Sequence, residues 1–272
     1  MQTDQTLAKS PRQPGALQIT FGASRAFFGS LAVLAAMFIG IGLFLVWLRA
    51  QAASGAVNFS GDLTLLGESA AGAIAVAAGI LGIAWWLKRR IPRIRLHENA
   101  LHTLGQGRDQ LDFFVDIEDV YSVSNGLFGW RVAPGTPWVI VDNRVARFGK
   151  LRSELVARQI AQRGELLWQR LQAGGDVVFH MFPAGAAHDQ IWTWSRSVDH
   201  PVSPVTLNAR SLSIDGKTIP IAQLRPIDRS IWHETIKFET VDGTLVCKTV
   251  SNAILSLDLL LTLIEELQRP AG

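Results

Sequence analysis

Ala26–Leu48 reads AFFGSLAVLAAMFIGIGLFLVWL, 23 residues without Asp, Glu, Lys, Arg or His. Ser69–Leu87, SAAGAIAVAAGILGIAWWL, is a second uncharged run of 19. At a rise of about 1.5 Å per residue, helices of these lengths reach roughly 35 and 28 Å, enough to cross a hydrocarbon core of about 30 Å. The first run is too long for the apolar part of a cleaved signal, about 7–15 residues, and no convincing small-residue cleavage site closes it. A transmembrane hairpin is expected: helix 1 over 26–48, a loop over 49–68 and helix 2 over 69–87.

The basic residues set the orientation. Lys9, Arg12 and Arg25 precede the first helix, and Lys88, Arg89, Arg90, Arg93 and Arg95 follow the second. The loop holds one basic residue, Arg49, with Asp62 and Glu68. Positive charge is retained on the cytoplasmic side, so both termini are expected inside and the loop outside, in the periplasm. Trp47, Trp85 and Trp86 stand near helix ends, where amphipathic rings anchor at an interface. Small residues recur every four positions, Ala32, Ala36 and Gly40 in the first helix and Ala71, Ala75 and Gly79 in the second. Such stripes let backbones approach closely, so they predict helix–helix packing within the hairpin, or contact with another membrane chain. Neither span contains an ionisable residue, which argues against a proton relay or an ion pathway.

The chain has 272 residues and a formal charge of +3, with much of the excess in Lys88–Arg95. That cluster, Lys88, Arg89, Arg90, Arg93 and Arg95, sets topology and can face anionic lipid. The single cysteine, Cys247, excludes an intrachain disulfide and reads as a buried, inert thiol. Residues 1–25 are polar, with Pro11, Pro14 and Gly15, and read as a disordered cytoplasmic tail.

The remainder reads as one pattern stated twice, over 88–174 and 175–272. The first half offers strand runs at Arg93–Glu98, Ala100–Leu104, Leu111–Val123, Trp138–Val141 and Val145–Phe148, then a helix from Ser153 to about Gln172 with apolar Leu155, Ile160, Leu166, Leu167 and Leu171. The second offers runs at Val177–Phe182 and Gln190–Ser195. Two hairpins follow, around Asp215-Gly216 and Asp242-Gly243, where Gly supplies the positive φ of primed turns. A Leu-rich helix then starts at Ser251 or Ser256 and runs to about Arg269. Ile117, Val120 and Val123 share their spacing with Ile221, Leu224 and Ile227.

The hairpin followed by RIRLHENALHT…FFVDIEDVYSV resembles bacterial membrane proteins with pleckstrin-homology-like domains. The second half, SLSIDGKTIPIAQLRPID…ETIKFETVDGTLVCKTVSNAILSLDLLLTLIEEL, resembles the same domain without its own anchor. The resemblance implies an α+β membrane protein of the bacterial inner membrane, with two small, partly open β-barrel modules, each closed by a C-terminal helix. The stretch Ala184–Pro204 departs from the pattern.

Enzyme signatures are missing. His233-Glu234-Thr235-Ile236-Lys237 lacks the second His of a zincin helix, Gly105-Gln106-Gly107 opens no dinucleotide-binding helix, and neither a Walker A sequence nor a GxSxG elbow occurs. His188-Asp189 and Asp199-His200 form the one loop constellation with metal-ligand residue types, at no standard spacing. No cofactor, metal, nucleic acid or small-molecule substrate is therefore expected. Leu127, Phe128 and Trp130, in the Gly- and Pro-bearing segment Asn125–Pro137, are the candidate partner-binding residues. The composite expectation is a non-enzymatic membrane scaffold or assembly factor, whose partners are membrane lipid and either a protein or a second copy of the chain. The alternatives are a small subunit joined to a larger complex through its helices, and a membrane-associated hydrolase.

Overall fold

The computed structural model describes residues 12–105, 108–123, 126–183, 202–227 and 235–269. The chain is an α+β protein with two long apolar helices near its N-terminus and several antiparallel sheets. The uncharged runs lie in α1 (Arg25–Ala53) and α2 (Leu63–Arg90), each longer than its uncharged part. Ser24 opens α1 by accepting the Phe27 amide at 3.3 Å, and Asp62 opens α2 by accepting the Thr64 amide at 2.8 Å. Lys88, Arg89 and Arg90 fill the last turn of α2, where positive charge offsets the unpaired carbonyls. Both helices are long and apolar enough to cross a membrane, and only 11% of each apolar window is buried within the protein. A core helix of this composition would be covered on most of its surface.

The hairpin closes on different faces from those expected. Ala35 and Gly42 of α1 and Ala70 and Ala77 of α2 are its buried positions. A Cβ on Gly42 would meet Ile74 Cγ1 at 2.7 Å and the Ala70 carbonyl oxygen at 3.2 Å, so this approach requires glycine. Ala32, Ala36, Gly40, Ala71, Ala75 and Gly79 are all exposed, and a Cβ built on Gly40 or Gly79 meets nothing within 4 Å. The buried positions repeat every seven residues, two helical turns, as a pair crossing at a shallow angle demands. A four-residue stripe is a property of one helix and does not say which face meets its neighbour.

The first half begins before the hairpin. β1 (Leu17–Phe21), β2 (Arg93–His97), β3 (Ala100–Gly105) and β4 (Arg108–Phe113) form a four-stranded antiparallel sheet in that order. β1 lies in the segment expected to be a disordered tail. Leu17, Ile19 and Phe21 alternate with Gln18 and Thr20, and Phe21 pairs with Ile94 and is 1% exposed. Arg12 is held as well, by the Asp116 carboxylate at 2.8 Å.

β5 (Asp119–Val123), β6 (Leu127–Arg131) and β7 (Val139–Asp142) make a second, three-stranded sheet. The expected single run Leu111–Val123 is thus split. The Phe113 carbonyl accepts the amides of Asp116 and Ile117, and this turn sends both Phe114 and Ile117 into the core. Val145 contributes one bridge to Ala23 rather than a strand, and Phe148 opens α3 (Phe148–Gln172). Ser153 does not cap that helix. It lies inside it, with its hydroxyl donating to the Lys150 carbonyl at 3.0 Å.

In the second half, β8 (Val177–Met181), β9 (Ser203–Leu207), β10 (Ser211–Ile214) and β11 (Lys217–Pro220) form another four-stranded antiparallel sheet in chain order. Asp215 and Gly216 both take positive φ, 50° and 71°, in the β10–β11 turn. β12 (Thr235–Glu239) and β13 (Leu245–Val250) make a two-stranded sheet, and α4 (Leu257–Gln268) follows. Among the described residues the sheets stay separate and do not close into a barrel. The run Gln190–Ser195 lies outside the described residues.

The halves do not each own a helix. Leu151 and Leu155, early in α3, enter the first core with Ile94, Phe114 and Trp130. Ile160, Leu167, Trp168 and Leu171, later in the same helix, pack in the second core with Phe179, Phe238 and Leu260. Leu166, expected on the buried stripe, is 50% exposed. α4 lies on α3, with Leu259 Cδ1 3.2 Å from where a Cβ on Gly164 would stand.

Candidate functional site: the hairpin mount and the seam between halves

The hairpin is spliced into the first sheet rather than hung from it. α1 follows β1 and α2 runs into β2, and β1 and β2 are hydrogen-bonded neighbours. The short connection from β1 to α1 is tied to the segment before α3. Ser24 donates its amide to the Arg144 carbonyl and Ala146 donates its amide to Gly22, both at 2.7 Å. On the other side, Pro92 lacks the amide a helix would need to continue, and Ile91 packs against the first core.

Around this mount the charge is positive. Lys88, Arg89, Arg90, Arg93 and Arg95 are all exposed. The Arg89 guanidinium lies 3.8 Å from the Trp85 ring centroid, and that of Arg90 4.0 Å from Trp86. Arg93 and Arg95 alternate with buried Ile94 and Leu96, so both project from the outer face of β2. The backbone bonds of Gly22 and Ser24 add residues that linear reading missed. They bring 144–146, and with them exposed Arg147 and Lys150, beside Arg25 at the start of α1. No motif marks this, because 25 and 147 are distant in sequence.

The expected partner-binding residues occupy a different place. Phe128 and Trp130 lie on β6, the central strand of its sheet, and both are fully buried; Leu127 is half-buried. Trp130 Nε1 donates to the Asp112 carboxylate at 2.9 Å, and Asp112 is itself 3% exposed. The irregular segment runs only from Val132 to Trp138. Flanking Gly and Pro made a central strand carrying the core residues Phe128 and Trp130 look like a loop.

A second concentration of polar groups lies where the halves meet. Asp119 on β5, 1% exposed, takes Arg131 Nε on one carboxylate oxygen at 2.6 Å and His180 Nδ1 on the other at 2.9 Å. Arg131 belongs to β6 and lies 4.8 Å over the Trp138 ring, while His180 belongs to β8 of the second half. The hydrogen bond to Asp119 raises the His180 pKa, and its partial burial opposes that rise. Beside it, Tyr121, Trp138, Phe182 and Leu255 form a small apolar cluster, and burial pushes the Tyr121 hydroxyl up to about 12.

Ser256 bolts the same seam. Its hydroxyl accepts the Val120 amide at 3.0 Å and Gln159 Nε2 at 2.9 Å, and donates to the Glu118 carbonyl at 2.9 Å. Its own amide donates to the Val120 carbonyl, and the Leu255 amide to His180. This is why Ser256, though adjacent to α4, makes no side-chain cap, and why it holds a left-handed φ of 51°.

Cys247 is buried, and desolvation pushes its thiol up to about 11, away from the reactive thiolate. Among the described residues, no group of three or more His, Cys, Asp or Glu is placed to hold a metal ion. His188, Asp189, Asp199, His200 and His233 lie outside the described residues. No family model matches the chain, and neither a curated protein nor a solved structure is detectably similar to it.

Proposed function

We propose that this chain is a non-enzymatic scaffold of a bacterial inner membrane, displaying two pleckstrin-homology-like modules to a protein partner at the cytoplasmic face. The repeated order along the chain supports the modules: each half runs through a four-stranded antiparallel sheet, a smaller sheet and then a helix, although the first of these helices packs into both cores. The basic residues flanking the open end of the hairpin support the cytoplasmic orientation. The observation that carries the reading is the splice of the hairpin between β1 and β2. A domain on a flexible tether samples every orientation; one built around its anchor presents the same faces to neighbouring membrane components.

The test releases that orientation. Flexible Gly-Ser linkers are inserted between Ser24 and Arg25 and between Arg90 and Ile91, and proteins photocrosslinked to the domain in native membranes are compared with those of the unaltered chain. A defined protein that crosslinks to the unaltered chain, and is lost from the linker variant although both remain in the membrane, supports the scaffold. A partner retained by the linker variant, or no defined partner at all, removes it.

One observation favours a second reading, a subunit joined to a larger complex through its helices. The small-residue stripes through Gly40 and Gly79 face away from the hairpin contact. Gly79→Leu has room in the hairpin, so loss of a co-purifying membrane protein in that variant would favour this reading over the scaffold.

A further inference from the structure

We infer that the face of the soluble domain beside the hairpin is a binding surface for anionic phospholipid headgroups, assembled from both flanks of the hairpin and from the start of α3. The inference rests on the hairpin spanning a membrane, and it adds a partner to that reading.

Three separate segments build the surface. Arg25 begins α1, Lys88 to Arg95 end α2 and form β2, and Arg147 with Lys150 begin α3. The 2.7 Å bonds from Ser24 to Arg144 and from Ala146 to Gly22 hold the third segment against the first. Arg93, Arg95, Arg147 and Lys150 are exposed, and among the described residues none of them has a carboxylate partner. The acidic side chains near α3's first turns are already engaged. Asp142 is ion-paired with Arg144, and Glu154 with Arg158 at 3.3 Å. The first turn of α3 contains no acid, and the Leu151 amide is the first to bond back within the helix, to Arg147. Elsewhere on the domain Arg12, Arg131, Arg163, Arg225 and Arg269 each have a carboxylate partner, while exposed Arg170 and Arg210 have none among the described residues.

The shape of the ligand follows from the placement. Arg25 and Lys88–Arg90 lie at the ends of two apolar helices, with Arg89 and Arg90 against exposed Trp85 and Trp86, and backbone bonds tie the segment before α3 to the same exit. A planar array of phosphates fits that layout better than a single soluble anion. Attraction of this kind acts within a Debye length, about 8 Å at physiological ionic strength, so only charges the fold holds close to the surface contribute.

The experiment uses the full chain in lipid nanodiscs of phosphatidylcholine alone, or of phosphatidylcholine mixed with phosphatidylglycerol. Amide hydrogen exchange is read over residues 144–152, where the first amides of α3 have no helical acceptor. The expected result is several-fold slower exchange in the anionic discs, abolished by high salt and by the double substitution Arg147→Gln, Lys150→Gln. The exposed cross-strand pair Lys237 and Lys248 on β12–β13 serves as the control and is expected not to respond. Both substituted side chains are exposed, so an unchanged melting temperature verifies that the variant is folded. Identical exchange in the two lipids, or slowing that persists in the double variant, overturns the inference alone. A chain that does not incorporate into discs overturns the membrane-spanning reading as well.

Discussion

The two four-stranded sheets share one strand order and differ in what their first connection carries. Between β8 and β9 the chain runs from 182 to 202; between β1 and β2 it runs from 22 to 92 and contains the whole hairpin. Antiparallel neighbours lie about 5 Å apart, and two packed helices about 8–10 Å. A helical hairpin therefore leaves and returns to adjacent strands with little rearrangement. The cost of a long connection rises only slowly with its length, so the sheet closes around the excursion. The consequence is that the first sheet exists only when residues on both sides of the hairpin are present. The second sheet is assembled from one continuous stretch.

The largest test of that asymmetry removes β1. A fragment beginning at Lys88 keeps every residue of the second half but loses Phe21 and an edge strand of the first sheet. It is expected to unfold or aggregate, whereas replacing 23–91 by a short Gly-rich turn restores a folded soluble domain; circular dichroism and urea melts distinguish the two. Phe21→Ala alone is expected to cost about 3–5 kcal/mol. A fragment from Lys88 as stable as the β1-containing form would break the comparison.

The next test asks whether the halves are one unit. Asp119→Ala leaves Arg131 buried without its carboxylate and removes the acceptor of His180, for an expected loss of about 3–5 kcal/mol. Because α3 serves both cores, both halves are expected to melt together, and a differential scan showing two separated transitions would contradict this. Ser256→Ala strands the Val120 amide and removes one of the two acceptors of Gln159 Nε2, the other being the Ile117 carbonyl, at about 1–3 kcal/mol, again in a single transition in urea.

The smallest effect is proton-linked. Asp119 raises the His180 pKa above its ordinary 6.5, so the folded state binds that proton more tightly than the unfolded chain does. Its contribution is therefore complete below about pH 6.5 and is lost as pH rises through the folded value. The charged groups facing His180 are Asp119 and Glu118, which favour the proton, and Arg131, which opposes it. Urea midpoints are expected to fall as pH increases from slightly acid to slightly alkaline, and His180→Gln is expected to flatten that slope. An unchanged slope in the variant would remove His180 from the seam's energetics.

Legibility in the sequence followed the range of the interaction. The hairpin helices, the turns at Asp215-Gly216 and Asp242-Gly243, and the alternation Arg93-Ile94-Arg95-Leu96 were all readable, because each depends on neighbours within a few residues. The alternation Leu17-Ile19-Phe21 was equally present, yet the prolines before it and the long apolar helix after it disguised a strand as a tail. Phe128 and Trp130 were assigned to a surface loop, since nothing local reveals that β6 is covered on both faces.

Local reading of the residues is enough to mark two segments as apolar for a bilayer's width, with basic flanks, and short strands with tight turns after them. Long-range packing set the pairing of β1 across the hairpin and the gathering of Arg131 and His180 by Asp119. It also decided that Gly42 rather than Gly40 closes the helices, and that Arg147 and Lys150 stand beside Arg25. Helix length, capping and turn conformation are set by steric and hydrogen-bonding preferences of adjacent residues. Strand partners, buried ion pairs and shared charged surfaces form only once the chain has closed on itself, and their partners carry no local mark of one another.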